Sequence, residues 1–204
     1  MMVDTARRSG DGPRQAEAIF TAVLELLAEH GYDGLTVEGV AARSGVHKTT
    51  IYRWWADKDA LLGAALLNSA LLELPVPDTG SLRGDLLALT RHVLRLLTTE
   101  PSASVVTAAL AAAGRPVLAR LAHEFFADRF DRELVLFERA VARGELPADA
   151  DAKLVVDLLA GAVWTRVLLR QERPPADFAA QAVDLVLAAL SNRKVHPNTR
   201  NVPA

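Results

Sequence analysis

The chain of 204 residues contains no cysteine, which excludes disulfides, thiolate nucleophiles and cysteine-bound metal and fits a reducing compartment. No apolar run reaches ~18 residues free of charge, so no segment reads as a membrane-spanning helix. Residues 1–14 hold three arginines, two glycines and a proline but lack the apolar stretch of a secretion signal. A cytoplasmic protein without a membrane partner is expected. Alternating runs rich in β-branched residues are missing too, which removes strands from the expectation. So are the recurring catalytic patterns: there is no Gly-x-Ser-x-Gly elbow, no His-Glu-x-x-His and no phosphate loop. Asp149 and Asp151 form a loose acidic pair far from any histidine, in a position suited to capping a helix. No catalytic residue, cofactor or metal site is expected, and an enzyme is the least favoured alternative.

What remains is an apolar, nearly neutral chain. Half of its residues are hydrophobic and its formal charge is −2, enough apolar content for a substantial core but an unpromising total for a partner of nucleic acid. The distribution is less even than the sum. Between Arg43 and Lys58 the cations Arg43, Lys48, Arg53 and Lys58 face a single acid, Asp57, so any anion contact is focused there.

Apolar periodicity predicts an all-α fold of about nine helices. Over 14–30, Ile19, Ala22, Val23, Leu26 and Leu27 make one stripe and Glu17, Glu25 and Glu29 the opposite face, with Gly31 as the stop. Thr36 is placed to cap a short second helix, broken at Ser44-Gly45. A third runs through Tyr52 to Trp55 and a fourth over 57–73, where Pro75 and Pro77 forbid continuation. Longer helices are expected over 81–99, 102–113, 116–144, 150–171 and 175–192, with prolines at the joints. The expected organisation is a small N-terminal unit over 14–60, a connecting helix and linker over 61–80, a larger helical unit over 81–192, and a disordered tail over 193–204.

The segment "SGVHKTTIYRWW" carries the functional argument. Two short helices joined by a tight turn, with Val40, Ala41, Gly45, Val46 and Ile51 in that order, have the spacing of a helix-turn-helix. Ala41 lets the helices touch and Gly45 supplies the positive φ of the turn, while Val40, Val46 and Ile51 fill the core behind them and Trp55 extends that stripe. The outer face is left with Lys48, Thr49, Thr50, Tyr52 and Arg53. Small hydroxyls and a lysine at the front of a helix suit base edges in a major groove, and a tyrosine, an arginine and a lysine one turn on suit phosphate oxygens. Each residue alone is as well explained by solvation or by a half-buried core position; their register points to double-stranded DNA.

In "LTVEGVAARSGVHKTTIYRWWADKDALL" the turn glycine, "TIYR", an aromatic and "DKDAL" occur in register, and over residues 14 to 62 the chain resembles the TetR family of bacterial transcriptional regulators. The resemblance implies a three-helix DNA-binding domain, a connecting fourth helix, and a helical domain that dimerises and binds a small effector. It implies that Lys48, Thr49 and Thr50 face bases and that Thr36, Tyr52, Trp54 and Lys58 hold phosphates. His47 stands where the family often has a capping serine, so the cap comes from elsewhere or the histidine itself meets a phosphate. Gly39 departs too, since a glycine inside a helix costs ~1 kcal/mol relative to alanine. Arg7 and Arg8 are candidates for a minor-groove arm.

Beyond residue 150 the apolar surface exceeds one helix face. Leu158, Gly161, Ala162 and Thr165, with Val183, Val186, Leu187 and Leu190 on the last helix, are the expected homodimer interface, built as a four-helix contact; the alternative is that these helices close the core of one protomer. For an apolar or aromatic effector the candidate residues are His92, Thr107, His123, Phe126, Trp164 and Arg166, although a set such as Phe125, Phe126, Phe130 and Phe137 is more often core than pocket. The expected function is a homodimeric repressor released from a near-palindromic operator by a small molecule. The competing expectation is a helical partner-binding module that does not read DNA.

Overall fold

The computed structural model describes residues 15–111 and 114–193; the arginine arm and nearly all of the C-terminal tail considered above lie outside them. Among the described residues there are nine α-helices and no strand: α1 (Ala16–Gly34), α2 (Val37–Ser44), α3 (Lys48–Trp54), α4 (Lys58–Asn68), α5 (Leu82–Thr98), α6 (Ser102–Ala111), α7 (Pro116–Ala142), α8 (Ala152–Trp164) and α9 (Phe178–Arg193). None of them is long and apolar enough to cross a membrane.

Three boundaries differ from the expected ones, each for a local reason. Gly31 does not end α1: it takes φ 64° and ψ −176° inside it, a kink only glycine adopts without strain, and the chain makes one further turn to Gly34. The fourth helix stops at Asn68, where Ser69 accepts from Leu71 N and opens a separate 3₁₀ turn, Ala70–Leu72. The eighth passes at Thr165 into a π-helical turn reaching Leu169.

The described helices form two compact units. Of the described residues, the first comprises those through Glu73 together with those between Ser104 and Phe125, and the second Leu74–Ala103 together with those from Phe126 to Arg193. In the first unit Ile19, Val23, Leu27, Leu35, Val40, Ile51, Leu61 and Leu62 are essentially inaccessible, each such burial stabilising the fold by roughly 1.5–3 kcal/mol. Helix α4 therefore belongs to this core, and at Gly63 the neighbouring element comes so close that an added Cβ would meet Leu121 Cδ2 at 2.8 Å. The second core gathers Leu82, Leu86, Leu136, Phe137, Val155, Leu159 and Val183. Its polar anchor is Asp85, fully buried, which accepts from Thr79 N at 2.6 Å and Thr79 Oγ1 at 2.8 Å. On its rim Arg83 grips Asp184 of α9 through two hydrogen bonds of 2.7 and 3.0 Å.

Candidate nucleic-acid interface

Helices α2 and α3 are assembled by short-range chemistry. Thr36, extended at φ −132°, accepts from Gly39 N at 3.0 Å and caps α2. Gly39 has a use that offsets its poor helix propensity: a Cβ there would lie 3.1 Å from Thr36 Oγ1 and 3.5 Å from Leu26 Cδ1, crowding the cap. Gly45 turns the chain at φ 71°. Val40, Val46 and Ile51 are buried as their spacing requires, and Trp55 sets its ring edge-on to Phe20, with centroids 5.6 Å apart.

With Ile51 wholly buried, the rest of α3 turns outward. His47, Lys48, Thr49, Tyr52, Arg53 and Trp54 are all exposed, Thr50 is half-buried, and Tyr52 and Trp54 keep 46% and 40% of their surface accessible. Two large aromatics left in water on a seven-residue helix cost hydrophobic free energy that a partner surface would recover. His47 sits at the N-cap of α3 and its carbonyl accepts from Thr50 N at 2.9 Å, but its imidazole makes no capping bond. The ring is therefore free to face outward. Glu38, Ala41, Gly45, Val46, His47 and Lys48 line a shallow cleft on this side, with Lys48 Nζ 3.9 Å from Glu38 Oε1.

The four cations of the segment are not equivalent. Arg43 is committed within the unit: its two terminal nitrogens each donate at 2.7 Å to the two carboxylate oxygens of Glu29, and Glu25 lies 3.4 Å away. That bonding holds the Glu29 carboxyl below its ordinary range and the guanidinium above its own. Lys58 donates to the backbone carbonyl of Tyr32 at 3.1 Å and lies 4.0 Å from the centre of the Tyr32 ring. Lys48 and Arg53 stand on the outer face.

Sequence reasoning passed over the surroundings of Lys58. Tyr32, just past the expected helix stop at Gly31, donates its hydroxyl to Asp59 Oδ1 at 2.5 Å, and Arg115, just before α7, pairs with Asp33 at 2.5 Å with its guanidinium 5.3 Å from the Tyr32 ring. The bond to Asp59, aided by burial, pushes the Tyr32 phenol up to about 12. The aromatic-plus-cation composition was the only signal available.

In the second unit, Phe126 and Trp164 are in contact, with centroids 5.2 Å apart, and Phe126 remains 46% exposed. Arg166 lies 4.8 Å above the Phe178 ring, and the buried Nδ1 of His92 has no hydrogen-bond partner. Phe137 is core. Thr107 and His123 are exposed and belong to the first unit. Among the expected interface residues, Leu158 and Gly161 on α8 and Thr165 just after it are exposed, whereas Ala162, Val186, Leu187 and Leu190 are half-buried. Val183 is fully buried in its own core, so it supports the face from behind. Leu185, not anticipated, is 73% exposed on α9.

Comparisons with known proteins agree with this geometry. Residues 19–65 match the model described as bacterial regulatory proteins, tetR family, and residues 76–186 match the tetracyclin repressor-like C-terminal domain. The chain is 36% identical over 157 residues to the HTH-type transcriptional regulator YdeS of Bacillus subtilis, covering 75% of this chain and 78% of that one. It is 33% identical over 184 residues to a DNA-binding transcriptional repressor TetR of Mycobacteroides abscessus, with 88% and 95% covered. Among solved structures it is similar to the TetR family transcription regulator SCO0332, with a TM-score of 0.69 and 34% identity over 85% of this chain and 96% of that one.

Proposed function

The chain belongs to the TetR family of DNA-binding helix-turn-helix transcription regulators, and from that premise we propose that it works as a homodimeric repressor in the cytoplasm, released from a near-palindromic operator by a small apolar or aromatic molecule. The observation that carries this reading is the outward face of α3, where Lys48, Thr49, Tyr52, Arg53 and Trp54 are exposed around a buried Ile51. In the proposed complex Lys48, Thr49 and Thr50 meet base edges, while Thr36, His47, Tyr52, Arg53, Trp54 and Lys58 meet the phosphate backbone.

Two such faces reach successive turns of a major groove when held ~34–36 Å apart. The exposed leucines of α8 and α9, Leu154, Leu158 and Leu185, support self-association of the second unit. A ligand preferring one spacing of the two reading heads then changes operator affinity by its differential affinity for the two states. The exposed Phe126 against Trp164 supports an aromatic or apolar ligand there, with His92, Thr107, His123 and Arg166 the remaining candidates.

Fluorescence anisotropy on labelled duplex from the intergenic DNA beside the gene tests the reading. Saturable binding at two protomers per site, weakened on all duplexes by Tyr52→Phe and made less selective by Lys48→Ala, is expected. Equal loss on specific and random DNA for Lys48→Ala would remove its base-reading role.

A further inference from the structure

Two carboxylates, two cations and one phenol meet around Tyr32 in the first unit. They come from three parts of the chain: Tyr32 and Asp33 from the end of α1, Lys58 and Asp59 from the start of α4, and Arg115 from the residue before Pro116 opens α7. The groups are paired unevenly. Arg115 is matched by the Asp33 carboxylate, and the Asp59 carboxylate takes the Tyr32 hydroxyl. Lys58 is held by a carbonyl and a ring, neither of which carries a formal charge, and among the described residues its ammonium forms no direct ion pair. An ammonium has three donors, and the Tyr32 carbonyl uses one.

A lysine on a flexible four-carbon stem ordinarily loses much rotamer freedom when it closes on a phosphate. Here that freedom is spent before DNA arrives. The carbonyl fixes the direction of one N–H, and the ring, whose face attracts cations, holds the ammonium from another side. The ring in turn is fixed at its hydroxyl by Asp59 and lies beside the Arg115 guanidinium, itself pinned by Asp33.

We propose that Tyr32 and Arg115 are positioning residues for DNA binding, acting through Lys58 to hold its ammonium ready for a duplex phosphate oxygen. The proposal rests on the reading of Lys58 as a phosphate contact and adds how that contact is prepared. Because Arg115 directly precedes α7, displacement of the start of that helix is felt at Lys58 through one ring.

A double-mutant cycle in the full chain tests it, using a labelled duplex of arbitrary sequence of about 25 base pairs, a little over two turns at ~10.5 base pairs each, across a salt series. Lys58→Gln should lower affinity several-fold and reduce the log–log salt slope by about one. Arg115→Gln should give a smaller loss in the wild-type background and almost none in the Lys58→Gln background. Tyr32→Phe, which keeps ring and carbonyl, should lose less than Tyr32→Leu; if the leucine variant unfolds in a thermal melt, the phenylalanine variant and the Arg115 cycle still decide. Losses that multiply, with the slope falling by a further unit on Arg115→Gln, would make Arg115 an independent phosphate ligand and overturn the proposal. Wild type that fails to bind the duplex at any salt would overturn the DNA contact itself and the positioning role with it.

Discussion

Arg43 of α2 and Glu29 of α1 form a two-pronged ion pair, each guanidinium nitrogen 2.7 Å from its own carboxylate oxygen. The planar fork matches the carboxylate geometry, which makes such pairs more selective than a point-charge contact. A residue that looks like part of a basic face in the sequence thus joins two helices.

Arg43→Ala should lower the melting temperature modestly while leaving the salt slope of DNA binding unchanged. Since the pair depresses the Glu29 carboxyl below 4.5, its contribution is present above that value and disappears as pH falls through the lowered one. Melts of wild type and variant should converge on acidification below 4.5, as pH falls through the lowered value. A difference that persists at the acid end would assign the stability to packing of the arginine stem.

Gly45→Ala isolates a backbone effect. An added Cβ meets nothing within 4 Å, yet φ is 71°, in the region that costs an L-residue roughly 1–2 kcal/mol. Urea unfolding should show that loss at an unchanged m-value, and a variant as stable as wild type would mean that the turn relaxes to a different conformation.

Glu133 behaves oppositely to Glu29. It is buried on α7, and desolvation raises its carboxyl to about 7 even though the nearby Arg129 charge acts to lower it. The folded state therefore binds this proton more tightly than the unfolded state, and stability is full below about 4.5 and declines as pH rises through about 7. Glu133→Gln, which mimics the protonated form, should flatten that decline and make the variant the more stable protein at about pH 8. A variant less stable than wild type across the whole range would show that the ionised carboxylate is the favoured buried form.

Leu154, Leu158 and Gly161 on α8 and Thr165 at the start of the π-helical turn follow one another at helical spacing and are exposed, Leu158 by 51%. Leu158→Asp should shift sedimentation at micromolar concentration from dimer to monomer without lowering helicity, because this side chain is not needed by its own core. A variant that remains dimeric would move the contact to other surfaces.

The parts of this molecule legible in its sequence are those decided within a few residues. Thr36 bonds three residues ahead, Gly45 needs only its own φ, and the spacing of Val40, Val46 and Ile51 settles which side of α3 is inside. What the sequence could not disclose is set by distant partners. Arg43 looks as available as Arg53 until Glu29 is seen beside it, and Arg115 gives no sign of lying against Asp33, 82 residues earlier. Phe126 and Phe137 have the same apolar character on one helix, yet one is half exposed and the other closed in its core. The turn beyond Gly31 carries no apolar stripe to announce it, and the π-helical turn after Trp164 continues a helix's apolar pattern while altering its path.

The loose contact between Glu38 and Lys48 bears on search as well as affinity. Both side chains are more than 60% exposed, so the pair adds little stability, but any phosphate or base that approaches the Lys48 ammonium also meets the charge of a carboxylate 3.9 Å from it. On arbitrary DNA, where charge is nearly all that holds the protein, that internal rival shortens each visit. At a matching site, base contacts outweigh it. A bacterial chromosome offers millions of wrong addresses, and with Lys48 in the base-reading place proposed for it, a regulator carrying an acid beside that lysine leaves them sooner.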